Sequence, residues 1–319
     1  MNEAHELIWI SPILPHSELE QLYRWVNQHL EESGLLPLAS FNRIRTSMLF
    51  EPSEALRLEF AIEGAPENLS GNPHTALLQL RESVWSEIFS GTQPVPAPFA
   101  LSLRPRRLDA VRKKLICFDM DSTLINEEVI DEIARQAGVY DEISAITEQA
   151  MQGKLDFTRS LKARVSLFRG LQRDQAASIA SSLHVSPGGE TLLQHLRTLG
   201  LKTAVVSGGF DFILRHFQKQ LFIDHVYGNT LVLDDEDRFT GAVEDPVVDA
   251  GYKRKLVAQL KTNYGFSTDE TLTVGDGAND ILMMEEAGIS VSFCGKPRLS
   301  AHTNTLILER NLMWIKHLI

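Results

Sequence analysis

The stretch Lys114-Leu115-Ile116-Cys117-Phe118-Asp119-Met120-Asp121-Ser122-Thr123 constrains the fold more than any other. A short apolar run of this kind predicts a buried parallel strand, and two aspartates sit one residue apart where it stops. Open α/β sheets bind ligands in the crevice beyond the carboxyl ends of their strands, so these carboxylates stand where chemistry takes place. A second stretch repeats the design: Thr271-Leu272-Thr273-Val274-Gly275 is strand-like and runs into Asp276, followed by Gly277, Asn279 and Asp280. With both strands in one parallel sheet, Asp119, Asp121, Asp276 and Asp280 converge on a single rim.

Two like charges about 4 Å apart repel by roughly 4 kcal/mol at an effective dielectric near 20. A cation must neutralise such a group, or some of its members must be protonated. Oxygen ligands without histidine or cysteine favour magnesium over zinc. One strand-end aspartate is equally well explained as a cap on the helix that follows; two such motifs in one chain are much harder to explain that way.

Four motifs follow one another: Asp119-Met120-Asp121-Ser122-Thr123, Ser207-Gly208-Gly209, Lys253, and Gly275-Asp276-Gly277-Ala278-Asn279-Asp280. In content and spacing they resemble the signature motifs of the haloacid-dehalogenase-like hydrolases. From about residue 114 to the C-terminus the chain is similar to the bacterial phosphoserine phosphatases of that superfamily. The resemblance implies an α/β, Rossmann-like parallel sheet core over 114–319, with an inserted helical cap at about 126–186. It implies hydrolysis of O-phospho-L-serine, the last step of serine biosynthesis, with Mg2+ and through an aspartyl-phosphate. Under it Asp119 is the nucleophile and Asp121 the acid and base. Asp119, Asp276 and the main chain at Asp121 hold the metal, and Asp280 orients Lys253 and the metal's surroundings. Ser207, Gly208, Lys253 and Asn279 steady the phosphoryl oxygens or the substrate. Glu128 receives the substrate ammonium, Arg164 its carboxylate, and Met151 and Phe157 line it. The same residues would serve a phosphotransferase or a phosphatase for another small phosphorylated amino acid.

Several of these positions also speak for themselves. After the first strand the sheet pattern lapses into successive helical patterns at 126–137, 141–151, 156–168 and 174–183. Phe157, Leu161, Arg164 and Phe168 share one helical face, which sets a guanidinium on an apolar stripe. Burying that charge costs several kcal/mol unless it is paired, so an anion is expected there. Glu128 falls with Asp131, Glu132 and Arg135 on a polar face that periodicity alone makes solvated. Pattern alone puts Met151 and Phe157 in the core. Lys253 opens a helix whose apolar face is Leu256, Val257 and Leu260, so it points inward. Ser207-Gly208-Gly209 ends an apolar strand and lets backbone amides approach a phosphate, but alone it is any strand-to-helix turn.

The first hundred residues have a different rhythm. Strands are expected at Leu7 to Ile10, Arg43 to Phe50, Leu56 to Ile62 and Phe99 to Leu103. Helices are expected at Glu18 to Glu32, with Leu19, Leu22, Trp25, Val26 and Leu30 on one face, and at Thr75 to Phe89. That order is that of a smaller α+β ferredoxin-like unit over 1–103, similar to the ACT type and suited to packing, oligomerisation or amino-acid binding. The basic segment 104–113 is expected as a linker. A net charge of −11 argues against nucleic-acid or anionic-membrane partners. Cys117 and Cys294 are both in apolar runs, which fits core thiols and a reducing cytoplasm. No apolar run approaches a membrane span, the N-terminal residues lack a signal peptide's basic start, and a homodimer is expected by analogy.

Overall fold

The computed structural model describes residues 4–12, 16–33, 41–47, 52–61, 73–93 and 98–319. Phe50 and Ile62, expected at strand ends, lie outside these residues, as does the side chain of Leu19. The N-terminal part runs β1 (Ala4–Pro12), α1 (His16–Glu32), β2 (Phe41–Ser47), β3 (Pro52–Ala61), α2 (Pro73–Ser90) and β4 (Ala100–Pro105). Leu22, Trp25, Val26 and Leu30 of α1 pack with Leu80, Val84, Trp85 and Ile88 of α2 on one face of these strands. The three- and four-residue spacing of the apolar positions in α1 is what gives that helix a face to bury.

β5 (Leu115–Phe118) opens the larger part, and every one of its residues is buried. Then come α3 (Val129–Ala137), α4 (Tyr140–Met151), α5 (Phe157–Ser166), α6 (Arg173–Ser178) and α7 (Gly189–Thr198). α3 stops where Gly138 takes a left-handed φ of 73°, and Asp156 caps α5 by accepting from the Arg159 amide at 2.8 Å. β6 (Lys202–Phe210), α8 (Asp211–Leu221) and β7 (His225–Asn229) follow, and then the hairpin of β8 (Leu231–Leu233) and β9 (Phe239–Val243). The chain continues through α9 (Ala250–Tyr264), β10 (Thr271–Gly275), α10 (Ile281–Met284), β11 (Ile289–Phe293), α11 (Pro297–Ser300) and β12 (Thr305–Ile307). It ends in a 3-10 helix, Leu312–Leu318.

The strands form one mixed sheet in the order β2-β3-β1-β4-β12-β11-β10-β5-β6-β7. From β12 to β7 all neighbours are parallel, and from β2 to β4 all are antiparallel. The two halves join where β4 pairs antiparallel with β12, Ser102 opposite Thr305. The segment 104–113, expected as a linker, is packed: Arg104 lies in β4, Arg106–Asp109 is a 3-10 turn, and Arg104 and Lys113 are both buried. Lys113 keeps its ammonium satisfied by donating to the carbonyls of Leu108 and Asp269 at 2.9 and 2.8 Å.

Leu115, Cys117, Ala204 and Val206 face α9 and α10 on one side of the parallel sheet. Ile116, Phe118 and Val205 face α3, α7 and α8 on the other. Buried on both faces, β5 reads as an unbroken apolar run. No helix among the described residues is long and apolar enough to cross a membrane.

Candidate active site

β5 and β10 are neighbours in register, with Phe118 opposite Val274, so the residues that follow each strand emerge side by side. The Asp119 amide donates to the Val274 carbonyl at 2.8 Å, which fixes the first aspartate at the end of its strand. Asp119 Oδ1 accepts from the Met120 amide at 2.7 Å and faces Lys253 Nζ at 2.8 Å. Its Oδ2 has one long donor, Asn279 Nδ2 at 3.5 Å. Asp119, Asp276 and Asp280 each offer an oxygen within 4.8 Å of the others, and all three are buried.

Lys253 reaches this group because Asp249 caps α9, accepting from the Tyr252 amide at 2.8 Å, and turns the first helical turn toward the rim. Burial alone would lower the lysine pKa, but Asp119 and Asp280 outweigh it and hold the ammonium above its usual value. One ammonium cannot balance three carboxylates. Burial pushes the Asp280 carboxyl up to about 8, with Asp119 adding to it, and burial followed by the charge of Asp119 also raises Asp276. The surplus negative charge and an all-oxygen donor set fit a hard divalent cation. Asp280 is the member of the three to which the resemblance gives the orienting of Lys253 and no direct hold on the metal. Its Oδ1 faces Lys253 at 2.8 Å and its Oδ2 accepts from the Gly277 amide at 3.2 Å, so both its oxygens are already engaged.

Asp121 is half-buried. Its Oδ1 accepts from the Val129 amide at 3.1 Å. Its Oδ2 lies beside Gly209, 3.0 Å from where a Cβ on that glycine would stand. Burial raises the Asp121 pKa well above the usual carboxylate value, and Glu128 and Asp119 add to the rise. A carboxyl whose charged form is disfavoured in this way is suited to giving a proton to a leaving group.

Ser207, fully buried, Gly208 and Gly209 form the end of β6. Gly208 lies close to the cap: a Cβ there would stand 2.8 Å from the Phe157 ring, which would have to shift. Phe157 of the cap therefore rests against the Gly208 loop while also packing, partly buried, against the main hydrophobic core. Glu128 precedes α3 with an exposed side chain and accepts from Ser122 Oγ at 2.9 Å; Ser122 itself has a left-handed φ of 55°. Arg164, in the last turn of α5, donates from Nε to the Ser160 carbonyl at 3.3 Å and makes no ion pair with any described residue. Burial lowers its pKa, opposed by Asp131, Glu128 and Asp121. Met151 is not brought in. It ends α4 with 83% of its surface exposed, which also overturns the core position that pattern alone gave it, because the α4–α5 turn projects away from the packed helices.

Three contributors escaped the sequence reading. Thr123 donates to Asp276 Oδ1 at 3.4 Å, Lys296 Nζ lies 3.5 Å from Asp276 Oδ2, and Asn229 fastens Gly208. Thr123 lies within the first motif, so its position was a signal. Lys296 and Asn229 carry none.

The model of the family described as haloacid dehalogenase-like hydrolase matches residues 113–288, more than half of the chain. The chain belongs to the haloacid dehalogenase-like hydrolases. Within this family it is similar to a phosphoserine phosphatase of Methanocaldococcus jannaschii, 40% identical over 201 residues, 63% of this chain and 95% of that one. A solved structure of the phospho-aspartyl intermediate analogue of a phosphoserine phosphatase is 40% identical, with TM-score 0.61, covering 65% of this chain and 99% of that one. A hydrolase of the same family from Salmonella enterica aligns over 99% of this chain and 98% of its own, at 26% identity and TM-score 0.77, so its likeness includes the N-terminal part.

Proposed function

We propose that the chain is a phosphoserine phosphatase that hydrolyses O-phospho-L-serine to L-serine and phosphate through an aspartyl-phosphate. The observation that carries this reading is the convergence of Asp119, Asp121, Lys253, Asp276 and Asp280 beneath a cap whose Arg164 makes no ion pair among the described residues. Relatives of that name at about 40% identity support it.

Asp119, buried and held by Met120 and Lys253, is the nucleophile, so that one slow displacement becomes two easier ones. Asp121, protonated at the start, gives its proton to the leaving serine oxygen and then takes one from the attacking water. Ser207, the Gly208 amide and Lys253 steady the phosphoryl oxygens, and Asn279 steadies the substrate beside them. Asp280 holds Lys253 in place. Mg2+, held by Asp119, Asp276 and the main chain at Asp121, would supply charge neutralisation between an anionic nucleophile and an anionic phosphate. In the cap, Arg164 binds the substrate carboxylate by a two-pronged contact, Glu128 its ammonium, and Phe157 its aliphatic part; Met151 would join them only if the α4–α5 turn moved inward.

The N-terminal 103 residues we assign to a ferredoxin-like unit of the ACT type, supported by the strand order β2-β3-β1-β4 with two helices on one face. Residues 114–319 are then the phosphatase domain, with the cap inserted at about 126–186. A cytoplasmic enzyme, and a homodimer, complete the proposal.

The deciding experiment is phosphate release from O-phospho-L-serine with Mg2+ and with chelator. Metal-dependent release without transfer to added homoserine is expected; transfer to homoserine would indicate a phosphotransferase, and no release with metal would refute the reading.

A further inference from the structure

The ladder between β6 and β7 is broken where the phosphoryl loop lies. Pairing runs from Ala204 to Val206, lapses at Ser207-Gly208-Gly209 and resumes with Phe210 opposite Asn229. A carbonyl that leaves a ladder in a buried place needs another donor. Asn229 supplies it. Its side chain is 1% exposed, its Nδ2 donates to the Gly208 carbonyl at 2.8 Å, and its Oδ1 accepts from the Val248 amide at 2.8 Å. The reverse amide orientation would set oxygen against oxygen and N–H against N–H.

The two contacts have different consequences. Val248 immediately precedes Asp249, whose cap starts the helix that carries Lys253, so Asn229 ties the loop to the start of α9. At the other end it grips one side of the peptide joining Gly208 and Gly209. A trans peptide holds its C=O and N–H in opposite directions. Fixing the Gly208 carbonyl therefore aims the Gly209 N–H, which donates to Ser207 Oγ at 2.8 Å. With a lone pair of that hydroxyl occupied by a donor, its own proton is directed elsewhere.

We propose that Asn229 is a positioning residue that acts through the Gly208–Gly209 peptide, turning the Ser207 hydroxyl into an outward donor for a phosphoryl oxygen. The inference rests on the phosphatase reading for the role of Ser207, but its geometry is independent of which phosphate ester is the substrate.

The test is a double-mutant cycle in the full-length chain, combining Asn229→Asp with Ser207→Ala. Asn229→Asp keeps an oxygen for Val248 and removes the donor to Gly208. Both kcat/KM for O-phospho-L-serine with Mg2+ and orthovanadate affinity are read. In the unsubstituted background the change is expected to lower each by about tenfold or more, as loss of an oriented donor does. In the Ser207→Ala background the further loss is expected to be less than about twofold, since coupled residues are non-additive. Equal losses in both backgrounds, or none in the first, would overturn the proposal. Should Asn229→Asp fail to fold, Asn229→Ser, uncharged and too short to reach Gly208, goes through the same cycle with the same criteria. If the unsubstituted chain does not hydrolyse phosphoserine, the substrate reading fails, and the orthovanadate cycle still decides the role of Asn229.

Discussion

Lys253 Nζ lies 2.8 Å from Asp280 Oδ1, and the side chains are 1% and 0% exposed. The same ammonium faces Asp119 Oδ1 at 2.8 Å, so a single buried cation serves two carboxylates with Asp276 close behind. Lys253→Met would leave those carboxylates uncompensated. It is expected to destabilise the metal-free protein by about 3–5 kcal/mol, read from urea denaturation, with part of the loss recovered by excess Mg2+.

The same crowding sets a pH dependence of stability. Asp280, raised to about 8, and Asp121 and Asp276, also raised, bind protons more tightly folded than unfolded. Their stabilising effect is therefore complete below the unfolded value of 3.8 and is lost as pH rises toward about 8. Asp224 and Glu286, whose pKa values are lowered, act in the opposite sense but only below their ordinary values of 3.8 and 4.5. The Tm of chelator-treated protein should accordingly fall through the upper part of this window, and the increment from Mg2+ should grow. A Tm that rises there without metal would contradict the charge surplus.

Asp121→Asn removes the proton donor but keeps the shape of the side chain. A fall in kcat of about 10²–10⁴-fold is expected, with Mg2+ affinity by calorimetry nearly unchanged. In the unsubstituted enzyme the leaving-group step should weaken as pH rises through the raised pKa of Asp121, because the acid form is lost. Unchanged turnover in the variant would remove Asp121 from proton transfer.

Gly209→Ala would put a Cβ 3.0 Å from Asp121 Oδ2 and 3.1 Å from Ser207 Oγ. Displacing two reacting groups by a fraction of an ångström should cost about 10–100-fold in kcat, with a normal circular dichroism spectrum.

Arg164→Lys keeps the charge and loses the planar fork. The KM for O-phospho-L-serine should rise about tenfold, whereas O-phosphoethanolamine, which lacks the carboxylate, should be handled alike by both proteins. An equal effect on both compounds would detach Arg164 from the carboxylate.

Much of this was readable from the chain itself, for physical reasons. β5 and β10 are buried on both faces and end in carboxylates, so apolar run and charge mark the rim without any knowledge of the partner strand. The helices of the cap and Arg164 on its apolar stripe follow from helical period. What was hidden depends on distant pairing. Ser102 meets Thr305 across two hundred residues, which makes one continuous sheet of parts that composition separates. Asn229 sits where a strand ends, and only the broken ladder opposite it reveals that its amide serves Gly208. Met151 looks apolar and therefore buried, yet it stands 83% exposed where α4 ends.

The most direct test stops the enzyme with acid during turnover of O-phospho-L-serine and maps the phosphorylated peptide by mass spectrometry. The predicted result is an acid-stable, hydroxylamine-sensitive phosphate on Asp119, absent in Asp119→Asn. Phosphate on another side chain, or full turnover by Asp119→Asn, would contradict the account.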